Sequence, residues 1–198
     1  MLSYLAAALP PSAGPQARLL ALQCALRADR HGRVQMPAGL LRGMHLAGRE
    51  AEVWHELEEA CWLHHLWLPS GRHQAQLLDS TVLTQAPGRT LRLQAAGLAL
   101  HWAYSPATRA QPAIVRLTSV ALGAYLFPGS ACGTADLEGF ARICALSEER
   151  LTAVMECLGN AGVLSAWSLD HSAGELNWRA AGADRRVGMA GERGSGAT

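Results

Sequence analysis

Laid over itself at an offset of 101 residues, the chain repeats its own pattern of residue classes, and this constrains its fold more than any other feature. Gly32 falls on Gly133, Met36 on Leu137, Val53 on Val154, Trp54 on Met155, Leu57 on Leu158, Ala60 on Ala161 and Leu63 on Leu164. A one-residue shift aligns Leu46 with Leu146. The matches are of class rather than identity and span about a third of the chain. A chain of 198 residues with such a period is expected to build one supersecondary unit twice. At this length either copy can bury a core.

Both copies parse in the same order. In the second, AIVRLTSVALGAYLF carries apolar residues at helical spacing and stops at Pro128-Gly129. A short strand around Gly133 follows, and Asp136 caps a second helix, DLEGFARICAL. Ser147 starts a third helix, whose Glu148 and Glu149 suit the positive end of the helix dipole. Asn160 and Gly162 supply the left-handed stop. LSAWSLD and ELNWRAA then alternate around a turn at HSAG, which predicts a hairpin. In the first copy, PQARLLALQCALRADR, GRVQM, PAGLLRGM and REAEVWHELEEACWL give helix, strand, helix and helix. HHLWLPSGRHQAQLLDS is a hairpin predicted to turn at Ser70-Gly71. The segment from Leu91 to Tyr104 is expected to add a strand and a connector.

This order resembles tandem winged helix-turn-helix domains, and it covers residues 15–80 and 112–180. The residues that carry the likeness are Leu40, Leu41, Leu46, Val53, Leu57 and Leu63, with Phe140, Ile143, Leu146, Val154, Leu158 and Leu164 as partners. GNAGVLSAW is similar to the "aGvL" phrase that ends the third helix and opens the wing in MarR-like and GntR-like regulators. The expected fold is mainly α with small β-hairpins (α+β). It divides into a segment 1–14, a first domain 15–85, a connector 86–111, a second domain 112–181 and a flexible tail 182–198. A generic helical bundle with hairpin-like loops is the alternative.

Composition narrows the class. Apolar residues are 49% and charged ones 17%, which excludes a disordered chain. All 17 cations are arginine, the bias of a GC-rich bacterial genome. Five cysteines without repeated spacing point to reduced thiols and a cytoplasmic protein. No apolar run is long enough to span a membrane, and MLSYLAAALPP, an apolar stretch without a positive n-region, is not expected to act as a secretory signal. The six tryptophans read as core rather than as base-stacking groups.

No catalytic motif stands out, so an enzyme is not expected, nor is a cofactor. His55, Glu59, Cys61, His64, His65 and His73 invite a zinc reading, but no paired C-x-x-C or H-x-x-x-H frames them, and no metal is expected. Charge is unevenly spread. Residues 1–49 hold six arginines and one acid, residues 50–59 five glutamates, and residues 136–198 nine acids against six arginines. The resemblance implies binding to double-stranded DNA, with a basic surface on the first copy: Arg33, Arg42, His45 and Arg49, with Arg72 and His73 on the wing. Arg142 and Arg150 are the corresponding candidates in the second copy. The class implied is a transcriptional regulator or a plasmid-type replication or maintenance factor. Against groove reading stand the acids that open both third helices, since carboxylates are repelled by phosphates. The alternative function is therefore a protein-interaction adaptor, or a homodimer, working through those acidic helices.

Overall fold

The computed structural model describes residues 1–46, 48–67, 73–79, 83 and 86–181. It is an α+β chain with two three-stranded antiparallel sheets. The elements of the first half are α1 (Leu2–Ala8), α2 (Pro15–Arg27), β1 (Arg33–Met36), α3 (Ala38–Gly43), α4 (Glu50–Glu59), β2 (Leu63–Trp67) and β3 (His73–Leu77). Next comes α5 (Arg89–Tyr104). The second half has α6 (Ala113–Ala124), β4 (Cys132–Asp136), α7 (Leu137–Cys144), α8 (Glu148–Asn160), β5 (Leu164–Asp170) and β6 (Glu175–Ala180). The strand orders are β1-β3-β2 and β4-β6-β5, so both halves run helix, strand, helix, helix, hairpin with the last strand in the middle of its sheet.

The equivalence extends to single hydrogen bonds. After α3, His45 takes φ 55°, its N–H reaches the Arg42 carbonyl at 3.0 Å, and the Leu46 N–H reaches that of Leu41 at 3.3 Å. After α7, Ala145 takes φ 54°, with Ala145 bonded to Arg142 at 3.1 Å and Leu146 to Ala141 at 2.9 Å. These are paired Schellman stops, which satisfy the last carbonyls of a helix by turning one residue left-handed. Cys61 (φ 51°) and Gly162 (φ 71°) play the same part after α4 and α8. Of these four residues only Gly162 is free of the Cβ clash. Cys61→Gly is accordingly expected to raise stability by about 1 kcal/mol and Gly162→Ala to lower it by a similar amount, read from urea midpoints. Opposite signs at the two sites are the required result.

Sequence-predicted caps are present. The Asp136 carboxylate accepts from Gly139 N–H at 2.6 Å, and Ser147 Oγ accepts from Arg150 N–H at 3.4 Å. The second hairpin turns at residues 171–174, where the Asp170 carboxylate collects the Ser172 and Ala173 N–H groups. The turn predicted at Ser70-Gly71 and the tail from Gly182 lie outside the described residues.

Leu91 to Tyr104 is not a strand. It forms most of the sixteen-residue α5, with Arg92, Ala96, Ala99 and Ala103 buried. That spacing of four, three and four is helical, and it went unread because the buried groups are alanines rather than large apolar residues. Every residue from Ala17 to Leu26 of α2 is buried, as is every one from Val115 to Leu122 of α6. A helix buried all round is covered on all sides. For α2 the cover is its own unit on one side and α1, α5 and α6 on the other. The two units are thereby joined: Leu117 and Val120 of α6 belong to the first core. A Cβ on Gly123 would come within 2.4 Å of Trp102 Nε1, so α6 needs glycine there to let α5 approach.

Candidate nucleic-acid interface

The turn between α3 and α4 is held from behind by the second half of the chain. The Met44 carbonyl accepts from Tyr104 Oη at 3.0 Å and from Arg116 Nη1 at 3.5 Å. Arg116 is buried, with its guanidinium carbon 5.0 Å from the Tyr104 ring centroid. Burial pushes the Tyr104 phenol up to about 12 against the opposing pull of Arg116, so it stays a donor. His45 stacks on the outer side of Tyr104, ring centroids 5.8 Å apart. The left-handed backbone and this stack fix an exposed imidazole at the corner of the turn.

Arg42 and Arg49 are exposed on either side of it. Arg42 has no ion-pair partner among the described residues, and Arg49 Nε lies 2.9 Å from Glu52, both side chains more than half exposed. Such a surface pair is worth at most about 1 kcal/mol and yields readily to a competing phosphate. Arg42, His45 and Arg49 are thus all exposed on the segment that joins α3 to α4.

Arg33 and His73 do not join them. The register pairs Arg33 with Gln76 and Met36 with His73, so Arg33 lies about 10 Å along β1 from the hairpin's turn end. It is bound to Asp29 at 3.0 Å. His73, read as an exposed wing residue, is buried, which corrects that reading. Its ring lies 6.0 Å from that of Trp54, and its Nδ1 is 3.3 Å from His65 Nε2. The strand's alternation accounts for it: His73, Ala75 and Leu77 share the buried face, as do Leu63 and His65 on β2. Arg72 lies outside the described residues. Arg142, in the last turn of α7, and Arg150, in the first turn of α8, are exposed.

The acids of the two third helices differ in their engagement. In α4, Glu56 Oε1 accepts the Gly14 N–H, capping α2. Glu58 accepts the His65 N–H at 2.8 Å, and Glu50 accepts that of Gly48 at 2.8 Å. Three of five glutamates therefore serve the fold, and the exposed Glu52 and Glu59 are paired with Arg49 and His55. In α8, Glu148, Glu149 and Glu156 are exposed, with Glu148 2.9 Å from His171. Of the residues weighed as zinc ligands, His64 lies 3.3 Å from Glu58 and His65 meets His73, and the described residues hold no metal-binding group. All five cysteines are free, and no helix among the described residues is long and apolar enough to cross a membrane. Compared with protein-family models, curated proteins and solved structures, the chain matches none.

Proposed function

We propose that this chain is a bacterial double-stranded-DNA-binding protein with tandem winged helices, a transcriptional regulator or a plasmid-type replication or maintenance factor. The observation that supports this most is the engagement of the α4 acids: Glu50, Glu56 and Glu58 are tied into the fold, leaving Arg42 and Arg49 as the cationic groups of the α3–α4 turn, with the His45 ring between them. The repeated strand order, with the last strand central in each sheet, supports the winged-helix reading. Two arginines and a histidine amount to few phosphate contacts. Binding is therefore expected to be of the weak, backbone-dominated kind, with a salt slope of about −2 to −3. The exposed Glu148, Glu149 and Glu156 favour a second use for α8, docking a partner protein, so the two copies divide the work.

Anisotropy of a labelled random duplex across a salt series tests this. The full chain binds at low salt, and Arg42→Ala with Arg49→Ala weakens binding about tenfold or more and flattens the slope by about two. Arg142→Ala with Arg150→Ala leaves affinity nearly unchanged. Absence of binding at low salt overturns the reading in favour of the adaptor; binding indifferent to Arg42 and Arg49 overturns the placement of the surface.

A further inference from the structure

A second concentration of positive charge lies at the other end of β1, away from α3. There Asp29, Arg30, His31, Arg33, Arg89 and Arg92 line an open cleft of about 680 Å³. The loop from α2 into β1 builds one wall. The Asp29 carboxylate accepts the His31 and Arg33 N–H groups at 2.8 and 3.0 Å, and Gly32 at φ 77° completes the turn. This holds Arg30 and His31 outward, with Arg30 Nε donating to His31 Nε2 at 3.0 Å. The opposite wall is the start of α5. A helix N-terminus ordinarily attracts carboxylates to its positive end. The first turn of α5 has none, its Gly88 N-cap provides no side-chain acceptor, and it carries Arg89 and Arg92 instead.

Arg92 is the informative residue. Only 7% of it is exposed, yet it meets no carboxylate among the described residues. Its Nη2 donates to the Ala28 carbonyl at 2.8 Å and its Nη1 to that of Pro87 at 3.3 Å, while its Nε–H has no acceptor among the described residues. A buried cation held by two carbonyls, with one donor unmet, is costly unless a negative charge comes to it. Among the described residues that line the cleft Asp29 is the one acid, and it is already bound to Arg33, so four guanidiniums face a single engaged carboxylate there.

We propose that this cleft binds a phosphorylated small molecule, its phosphate held by Arg30, Arg89 and Arg92. Arginine's planar fork suits phosphate oxygens, and the volume is that of a small-ligand site. A duplex presents its phosphates on a convex rod, whereas Arg92 lies recessed in a concave wall. The assignment does not depend on the DNA reading.

Inorganic pyrophosphate, titrated calorimetrically into the full chain in low-salt buffer free of other phosphate and sulfate, is the probe. One site per chain is expected. Arg30→Ala with Arg89→Ala, both exposed positions, weakens pyrophosphate binding at least about tenfold, while the circular dichroism spectrum and the duplex anisotropy stay as in the parent. Arg142→Ala with Arg150→Ala leaves pyrophosphate binding unchanged. Absence of binding, or binding that the Arg30/Arg89 pair does not weaken, overturns the proposal. A pair that weakens duplex binding while pyrophosphate binds nowhere overturns it too, and assigns the cleft to the DNA surface.

Discussion

Leu57→Ala and Leu158→Ala are each expected to cost about 3–5 kcal/mol, in the upper part of the range for buried leucines. Both side chains are wholly buried, at equivalent positions of α4 and α8. Each belongs to the core of its own unit, Leu57 with Trp54 and Leu63, Leu158 with Met155 and Leu164. The surrounding elements are tied by sheet pairing and by the paired helix stops, so collapse onto the vacated volume is limited and the cavity cost adds to the transfer cost. The first unit also shares its core with α5 and α6, so the loss from Leu57→Ala spreads through both halves and the chain unfolds in one transition. His55→Ala, half a turn away on the exposed face of α4, is the internal control. Its pair with the exposed Glu59 supports a change of no more than about 0.5 kcal/mol. Urea unfolding of the three variants checks the ordering, and a loss below about 1 kcal/mol at either leucine would contradict its burial.

Both leucines are legible in the sequence through periodicity alone. Large apolar residues at helical spacing locate α2, α4, α6 and α8, those of α4 and α8 being repeated at one offset, and alternation locates both hairpins. Where the buried surface is made of alanine, as along α5, the pattern loses its contrast and the helix goes unseen. The left-handed stops at His45, Ala145 and Cys61 went unseen for a related reason: the expected residue is glycine, and here tertiary packing imposes the conformation on others. The wing position of His73 beside Arg72 suggests an exposed residue, although its phase with Ala75 and Leu77 places it inside. The candidate surface was legible only in part. Arg42, His45 and Arg49 share a turn, so proximity in sequence sufficed. Arg33 and the α5 arginines are brought together by the packing of α5 on α2, which one sequence does not reveal.

The buried histidine pair sets a further expectation: stability falls as pH is lowered from about 6.5 to about 4. His65 stacks on Trp54 at 4.2 Å, and its Nε2 lies 3.3 Å from His73 Nδ1. Burial is the largest cause in pushing the His65 imidazole down to about 4, and the neighbouring His73 and His64 add to it, against the opposing charge of Glu58. His73 is lowered as well, chiefly by burial, with Glu50 opposing. An unfolded histidine titrates near 6.5. Between that value and about 4 the unfolded chain binds protons that the folded chain refuses, so protonation draws the equilibrium towards the unfolded state. The contribution is present in full above about pH 6.5 and disappears as pH falls through the window, with a loss on the order of 2–3 kcal/mol from His65. The lowered carboxylates act in a different range, since Asp29 and Asp170 lose their contributions only below the ordinary carboxylate value. His65→Phe separates the two effects, because it keeps a flat ring against Trp54 and has nothing to protonate. Urea midpoints of the parent decline from pH 7 to pH 4.5, and those of His65→Phe decline much less over the same interval. A parent whose midpoint is flat across that interval would place the imidazole in water, in conflict with its burial between α4 and the first sheet.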